Sequence, residues 1–316
     1  MPLFSLRRNG ARLTPELDDG ELGKLVKMLR DSSAWGTIGA AELGAARVGG
    51  LLKRSPGDWD RRAHRVSVLA RVLSDSHLPA DWATREPNNV DALVLHAWAQ
   101  LVRGRKQGGL GDAAAVLEAC HRAAELNQHD PTPWVVLLGA YRLERYPRKD
   151  VFALWQEVLS RDRWHREAHL SMLEFLSPDE GGSHMHVLEF IDALRAQMPA
   201  NAPCAAVELT AHVMQYHTVL DRGGMEALLA RNHWSQPAVS QALDRAYDTW
   251  RKPGFFHHAA ALADLNLLAY ALITANRKQE ATQVFRLLNG RVAHWPWRRD
   301  GDPVAEFRRW QERLGV

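Results

Sequence analysis

The chain has 316 residues, with 40 basic and 37 acidic side chains and a formal net charge of +3. It is longer than a single globular core usually is, so it must either divide into domains or grow as a one-dimensional stack. Positive and negative residues are interleaved, which excludes the concentrated basic stripe typical of nucleic-acid-binding modules. No apolar run reaches the length of about 18 residues that a membrane span needs, and residues 1–21 carry no signal-peptide core. We therefore expect an unexported, cytoplasmic protein, and its bias of 33 arginines to seven lysines is typical of a GC-rich bacterial genome.

The first 55 residues lack clear repeat character and are predicted to form a helical cap or a docking segment. Farther along the chain, apolar residues recur at steps of three and four, which predicts helix nearly throughout. No segment of about four to eight residues rich in valine, isoleucine and threonine alternates convincingly, so no sheet is expected. Helix breakers interrupt the pattern where successive helices should turn. They include Ser55-Pro56-Gly57, Pro87-Asn88-Asn89, Pro131 with Pro133, Pro199 to Pro203, and Pro253-Gly254.

A short sequence motif is repeated along the chain: a helix-breaking segment is followed by the apolar first residues of a helix. It runs PNNVDALVLHAWAQ at 87–100, HDPTPWVVLLGAY at 129–141, WHREAHLSMLEFL at 164–176 and PANAPCAAVELTAHV at 199–213. The corresponding positions are Leu93, Trp134, His169 and Ala205, at spacings of 41, 35 and 36 residues. Such spacings are typical of solenoids built from helix pairs. We predict helical repeats over residues 56–293 and a capping helix over 294–316.

These residues resemble the tetratricopeptide repeat family. Trp134, Leu137 and Tyr141 are similar to the large, apolar and aromatic stripe of a first helix, and Ala281 with Phe285 is similar to the packing pair of a second helix. The resemblance covers roughly residues 87–215 and 258–293, about half of the chain. It implies an all-α fold, in which antiparallel helix pairs stack into a right-handed superhelix. One such pair cannot bury its apolar side alone, so each pair needs a stacked neighbour.

Tryptophan is abundant, with 12 residues in the chain. Five of them lie at helical spacing beside other apolar residues, which favours core packing over ligand binding: Trp59, Trp98, Trp134, Trp155 and Trp250. The run from Trp295 through Trp297 to Arg299 follows the last clear repeat. Two interpretations of it stay open: it covers the end of the stack, or it contacts a partner.

The histidines raise the alternative of a metal site. His165 and His169 share one helix face, but their spacing is expected by chance in a chain with 15 histidines. A sharper alternative gathers four histidines of later helices, with Glu208 and Asp264, on the concave surface of the superhelix: His212, His217, His257 and His258. The two cysteines, Cys120 and Cys204, have no metal-ligand spacing and are predicted to be free, buried thiols. Phosphate-binding loops and nucleophile motifs are absent from the sequence.

Stacked helix pairs curve, and their first helices line a groove that can hold an extended peptide or a partner helix. The repeat spacing predicts seven residues for this groove: Asp91, Trp98, Arg142, Glu167, Glu174, Asn266 and Tyr270. We therefore predict a non-catalytic interaction scaffold without a cofactor, whose partner is a protein or peptide and neither a nucleic acid nor a membrane. The alternative is a metal- or cofactor-dependent enzyme built on the same helical solenoid. The oligomeric state stays open.

Overall fold

The computed structural model describes residues 10–31, 39–55, 57–199 and 201–316. Sixteen α-helices account for most of these residues, which confirms the predicted all-α class. The predicted segment 1–55 is described only in part, since residues 1–9 and 32–38, like the breaker Pro56, lie outside the described residues. The chain forms two compact units, one of residues 19–194 and the other of residues 10–18 with 195–316. The domain boundaries predicted at residues 55 and 293 stay predictions.

The first nine helices and most of the tenth form the unit of residues 19–194. Polar side chains begin several of them: Asp58 accepts a hydrogen bond from the Arg61 amide at 2.9 Å, and Asn89 accepts one from the Asp91 amide at 2.9 Å. These caps satisfy backbone donors that have no partner within the helix. The helices are α1 (Gly20–Arg30), α2 (Ala40–Leu52), α3 (Trp59–Leu73), α4 (Leu78–Arg85), α5 (Val90–Gln107), α6 (Ala113–Leu126), α7 (Thr132–Leu143), α8 (Arg148–Arg161), α9 (Arg166–Leu176) and α10 (His184–Gln197).

The odd-numbered helices of this unit pack in sequence, α1 on α3, α3 on α5, α5 on α7 and α7 on α9. The even-numbered helices flank this row, since α6 packs between α5 and α7, and α8 between α7 and α9. Three of the four repeat positions, Leu93, Trp134 and His169, fall in the first turn of α5, α7 and α9. The sequence motif therefore marks equivalent places on successive helices of the row, and Ala205 lies just before α11 (Val207–Arg222).

Buried arginines link the helices of the row. Arg62 of α3 donates to Asp91 of α5 at 2.5 Å and to Asp130, which precedes α7, at 2.9 Å. Asp130 is fully buried, and its second oxygen accepts from the Thr132 amide at 2.8 Å. Arg65 makes a similar link to Asp19 at 2.7 Å. Because a buried charge is costly unless paired, these contacts hold neighbouring helices in one arrangement.

The second unit contains the last six helices and a pair of two-residue strands. The elements are β1 (Arg12–Leu13), α11, α12 (Gly224–Leu229), α13 (Pro237–Trp250), α14 (Ala261–Thr274), α15 (Lys278–Leu288), β2 (Arg291–Val292) and α16 (Pro303–Leu314). The strands are parallel, and the Arg12 and Thr14 amides donate to Gly290 and Val292 at 2.9 and 3.0 Å. The expectation of no sheet was therefore wrong for this pair. Two residues are too few to give an alternating pattern in a sequence.

Aromatic side chains form the centre of the second unit. Trp297, Phe285 and Phe307 are at most 1% exposed, and the Trp297 ring contacts both phenylalanine rings edge to face. Helices α14 and α15 meet at Asn276, whose positive φ of 60° suits an asparagine better than a branched residue. Ala281 and Phe285 are buried in α15, as the family resemblance implies.

Candidate functional site

The row α3, α5, α7 and α9 presents one polar surface, which we name the first-helix face. Its accessible charged side chains are Arg71 of α3, Arg105 of α5, and Glu167 and Glu174 of α9. Arg142 of α7 lies among them but is nearly buried, at 5% side-chain exposure. Parallel neighbouring helices thus place charges from four separate segments of sequence on a common surface.

Arg142 connects α7 to α9 and to the turn that follows α9. It donates to Glu174 at 2.7 Å, to Glu180 at 2.5 and 2.9 Å, and to the Ser171 hydroxyl. Burial alone would lower the pKa of the guanidinium, but Glu180 and Glu174 raise it. Arg142 is therefore fully ionised and neutralised by its neighbours, which gives it a structural role at the centre of the face.

Glu167 shows how far the face extends. Burial would raise the pKa of its carboxyl group, but Arg166, Arg71 and two histidines lower it below its usual value. Arg71 and one of those histidines, His64, belong to α3, although α5 and α7 lie between α3 and α9 in the row. Electrostatic effects between exposed groups fade beyond about 8–10 Å in physiological salt. Charged groups of α3 and α9 therefore interact electrostatically across the first-helix face.

Arg105 differs from the other arginines of this face because it has no hydrogen bond or ion pair with any described residue. Its side chain is exposed, yet the surrounding protein desolvates the guanidinium and lowers its pKa, and Arg142 contributes in the same direction. Glu174, Glu167 and Glu180 act on it only at longer range. Gly139 of α7 lies beside this side chain: a Cβ there would contact Arg105 Nη2 at 3.4 Å and would overlap Leu101 Cδ2 at 2.6 Å.

Arg71 also has no ion pair among the described residues. Its Nε and Nη2 groups both donate to Ser67 of its own helix, at 3.1 Å. Arg71 and Arg105 both interact electrostatically with Glu167, so they belong to the same part of the face. This part carries two accessible guanidinium groups that form no ion pair with a described residue, although both interact with Glu167 at longer range.

Of the predicted groove residues, five belong to this unit. Arg142, Glu167 and Glu174 lie together on the first-helix face, whereas Asp91 is paired with Arg62 and Trp98 is only 7% exposed. Their assignment to a binding groove stays a prediction. Arg71 and Arg105 were missed, although Arg105 lies seven residues after Trp98 and fourteen after Asp91, on the same helix stripe.

The other two predicted groove residues are buried in the second unit. The Asn266 side chain accepts from the Trp297 indole at 2.9 Å and the Ala293 amide at 3.2 Å, and it donates to Leu262 and Arg291 carbonyls at 2.7 and 3.2 Å. These four bonds use its whole hydrogen-bonding capacity. Tyr270, at 2% exposure, bonds to His217 at 3.0 Å, and burial raises the pKa of its phenol. Both residues support the fold of this unit.

The four histidines of the alternative metal site occupy different surroundings. His212 is buried beside His233, and burial lowers its pKa to about 4. His217 bonds to Tyr270, and burial together with Arg299 lowers its pKa to about 4. His257 is exposed, and the His258 ring contacts Phe255. Within the described part of the chain, no group of three or more histidine, cysteine, aspartate or glutamate side chains could hold a metal ion.

His165 and His169 have separate structural functions. His165 caps α9 by accepting a hydrogen bond from the Ala168 amide at 3.4 Å. His169 bonds through Nδ1 to the His165 carbonyl at 3.0 Å and lies among the rings of Trp155, Trp164 and Phe190. Burial lowers the pKa of both histidines, to about 4 for His169. The pair is accounted for by capping and packing.

The tryptophans that were predicted to pack in the core differ in how deeply they are buried. Trp98, Trp155 and Trp250 are buried, whereas Trp59 and Trp134 are half-buried. Trp134 is covered by the Arg161 guanidinium at 4.7 Å from its ring centre. In the run near the C-terminus, Trp297 is 1% exposed and Trp295 is 39% exposed. The first belongs to the core, and the second is an accessible aromatic surface.

The two cysteines are free and buried, as predicted. Burial raises the pKa of the Cys120 thiol, which suppresses the reactive thiolate form. Among the described helices, none is both long enough and apolar enough to cross a membrane.

Comparison with known proteins adds no family to this description. A scan of the sequence against models of protein families finds no match. A search of curated proteins finds no significant match either.

Proposed function

We propose that the chain is a non-catalytic interaction scaffold that binds an extended segment of a partner protein on the first-helix face. In this proposal the helix pairs form a right-handed, tetratricopeptide-like superhelix whose concave surface is this face. The free, buried thiols accord with the reducing cytoplasm as its location.

One observation supports the proposal: the first-helix face is polar, and charged groups of helices that are not neighbours in the row interact across it. Arg71 and His64 of α3 act on Glu167 of α9, although two helices of the row separate α3 from α9. A surface that brings non-neighbouring helices within electrostatic reach can surround an extended chain. Its accessible charges then supply hydrogen bonds that a flat surface would leave to water.

Site-specific photo-crosslinking tests this proposal. A peptide library displayed on phage is selected with the full-length protein, and the selected peptides are labelled. A photoreactive phenylalanine analogue replaces Glu174, which is 48% exposed on the first-helix face. The matched control carries the same analogue at Lys149, which is exposed on the second helix α8 and has no described partner.

We expect the selected peptides to crosslink at position 174 and not at position 149. A selection that enriches no peptide contradicts the proposal, and so do peptides that bind tightly but crosslink only at position 149. Circular dichroism of both variants shows whether they keep the helical content of the parent protein.

A further inference from the structure

The geometry points to a second binding site, at the outer edge of strand β1, for an extended protein segment in which acidic and apolar residues alternate. The site belongs to the second unit, and it is independent of the first-helix face and of the function proposed for that face. Strand edges bind such segments because their unpaired backbone groups extend the sheet by one strand. Affinity then comes from the main chain, and specificity comes from the side chains beside it.

The backbone of Leu13 faces away from β2. The amides of Arg12 and Thr14, on either side of Leu13, both donate to β2, at 2.9 and 3.0 Å. Because successive residues of a strand direct their backbone groups to opposite edges, the N–H and C=O groups of Leu13 point to the outer edge. Neither group has a hydrogen-bond partner in the described part of the chain, and Leu13 is 42% exposed. The sheet therefore ends at β1 with an open donor and an open acceptor.

The outer edge of β2, in contrast, is closed. The Asn266 side chain donates to the Arg291 carbonyl at 3.2 Å and accepts from the Ala293 amide at 3.2 Å. A further strand beside β2 would bond to the same two backbone groups, so the Asn266 amide takes the place of that strand. Only the edge at β1 is left for an added segment.

Two cations beside this edge favour an acidic partner. Arg12 and Arg291 are register partners in the parallel pair, so their side chains lie on the same face of the sheet, on strands about 5 Å apart. Like charges at such positions destabilise a sheet. Neither guanidinium forms an ion pair with a described residue, and the Arg12 side chain is exposed. A carboxylate next to Arg12 on an added strand relieves this repulsion.

The opposite face of the sheet favours apolar residues. Leu13 is the register partner of Val292, and Val292 and Ala11 are buried in the core of the second unit. Leu13 lies on the same face as these two residues, at the margin of the core, where its side chain is accessible. An apolar residue beside Leu13 therefore extends the core by one strand. Since neighbouring residues of a strand face opposite sides, acidic and apolar residues alternate in the ligand.

Isothermal titration calorimetry with synthetic peptides tests the inference on the full-length protein. Each peptide has an acetylated N-terminus and an amidated C-terminus. The first is Thr-Val-Glu-Val-Glu-Val-Thr, the second has lysine in place of both glutamates, and the third is Thr-Val-Val-Glu-Glu-Val-Thr, which keeps the composition but breaks the alternation. Two further versions of the first peptide carry N-methyl groups, one on the amides of its valines and the other on the amides of its glutamates.

We expect the first peptide to bind about tenfold tighter than the second and the third. One N-methylated version should lose binding and the other should keep it, because only one edge of an added strand contacts β1. Leu13→Pro removes the outward N–H group but no hydrogen bond of the described fold, since proline is tolerated on edge strands, and it should abolish binding. Arg12→Glu should weaken binding of the first peptide about tenfold and strengthen binding of the lysine peptide. Lys149→Glu, an equal charge change at an exposed position of the first unit, should do neither.

Equal binding of the first three peptides would overturn the inference, and so would N-methylated versions that both bind or both fail to bind. These measurements use the unaltered protein, so they hold even if Leu13→Pro does not fold. Loss of binding in Arg105→Ala would also overturn the inference, because the peptide would then occupy the first-helix face. A dimer in analytical ultracentrifugation that Leu13→Pro dissociates would assign the edge to a second copy of the chain instead. Crosslinking at position 174 tests the proposed function separately from all of these outcomes.

Discussion

The two compact units are stabilised in different ways. In residues 19–194, buried arginines pair with carboxylates of neighbouring helices, as Arg62 does with Asp91 and Asp130. In residues 10–18 with 195–316, an aromatic cluster that includes Trp297 packs beside Asn266, whose side-chain amide makes all of its hydrogen bonds within the protein. In the first unit, the buried ion pairs involve only some of the charged side chains, and others remain on the surface of the helix row. In the second unit, the polar atoms at the aromatic cluster form hydrogen bonds with one another. The proposed binding face therefore belongs to the first unit.

The aromatic centre should give the largest loss of stability. Trp297→Ala removes a fully buried indole and leaves Asn266 without one of its partners, so we expect a loss of about 4 kcal/mol in the free energy of unfolding. Urea denaturation followed by circular dichroism measures it. Trp295→Ala, which removes the same side chain from a position with 39% exposure, is the control and should stay near the parent. Equal losses in the two variants would show that the cluster does not hold this unit together.

Breaking the ionic link should cost slightly less. Arg62→Ala leaves the fully buried Asp130 without its cation, and we expect a loss of about 3 kcal/mol. Arg122→Ala removes an arginine that pairs with Glu125 on an exposed surface and should change stability by about 0.5 kcal/mol or less. If urea denaturation gives these two variants similar stability, the buried pairs do not link the helices as described.

Acid should destabilise both units, through their neutral histidines. The pKa of His169 is lowered from 6.5 to about 4, so between these values the unfolded chain takes up a proton that the folded chain does not. Stability is therefore fully present above pH 6.5 and falls as the pH is lowered to about 4, by about 2–3 kcal/mol for this residue.

Urea midpoints measured between pH 7.5 and about 4 test this prediction. His169→Phe keeps an aromatic ring but cannot titrate, so its loss of stability in acid should be smaller than that of the parent. His129→Phe, at an exposed position, should follow the parent curve. Parallel curves for all three proteins would contradict the role of His169.

The smallest of these effects belongs to Trp134. The ring is half-buried between His121 and Arg161, so Trp134→Ala should lower stability by about 2 kcal/mol, less than truncation of a fully buried tryptophan. Peptide affinity should change less than stability, because the ring packs between α7 and the even-numbered helices. A mutant with an unchanged melting temperature but weaker peptide binding would reverse this assignment.

Local signals in the sequence predicted the helix row well. The cap at Asn89 and the proline at 131 begin helices as expected, and the repeated motif placed Leu93, Trp134 and His169 on successive odd-numbered helices. These features depend on residues within one turn of each other, so they are visible in the sequence. The same periodicity, carried one heptad beyond Trp98, would also have found Arg105.

Long-range contacts were not predictable in this way. The four partners of Asn266 lie up to 31 residues away, and its polar side chain on α14 was interpreted as a groove residue. Asp91 was assigned to the groove for the same reason, since nothing nearby in sequence shows its pairing with Arg62, 29 residues earlier. A periodic pattern gives the side of the helix on which a polar group lies, but not whether the fold already supplies its partner.

The pairing of β1 with β2 has a consequence for how the protein can be made and divided. Ala11 and Leu17 belong to the core of the second unit, and β1 bonds to residues that follow α15, nearly 280 positions later. During synthesis this unit cannot be completed until the ribosome has released residue 292. A fragment that starts at residue 195 would lack its N-terminal strand, and supplying residues 10–18 as a separate peptide should restore it.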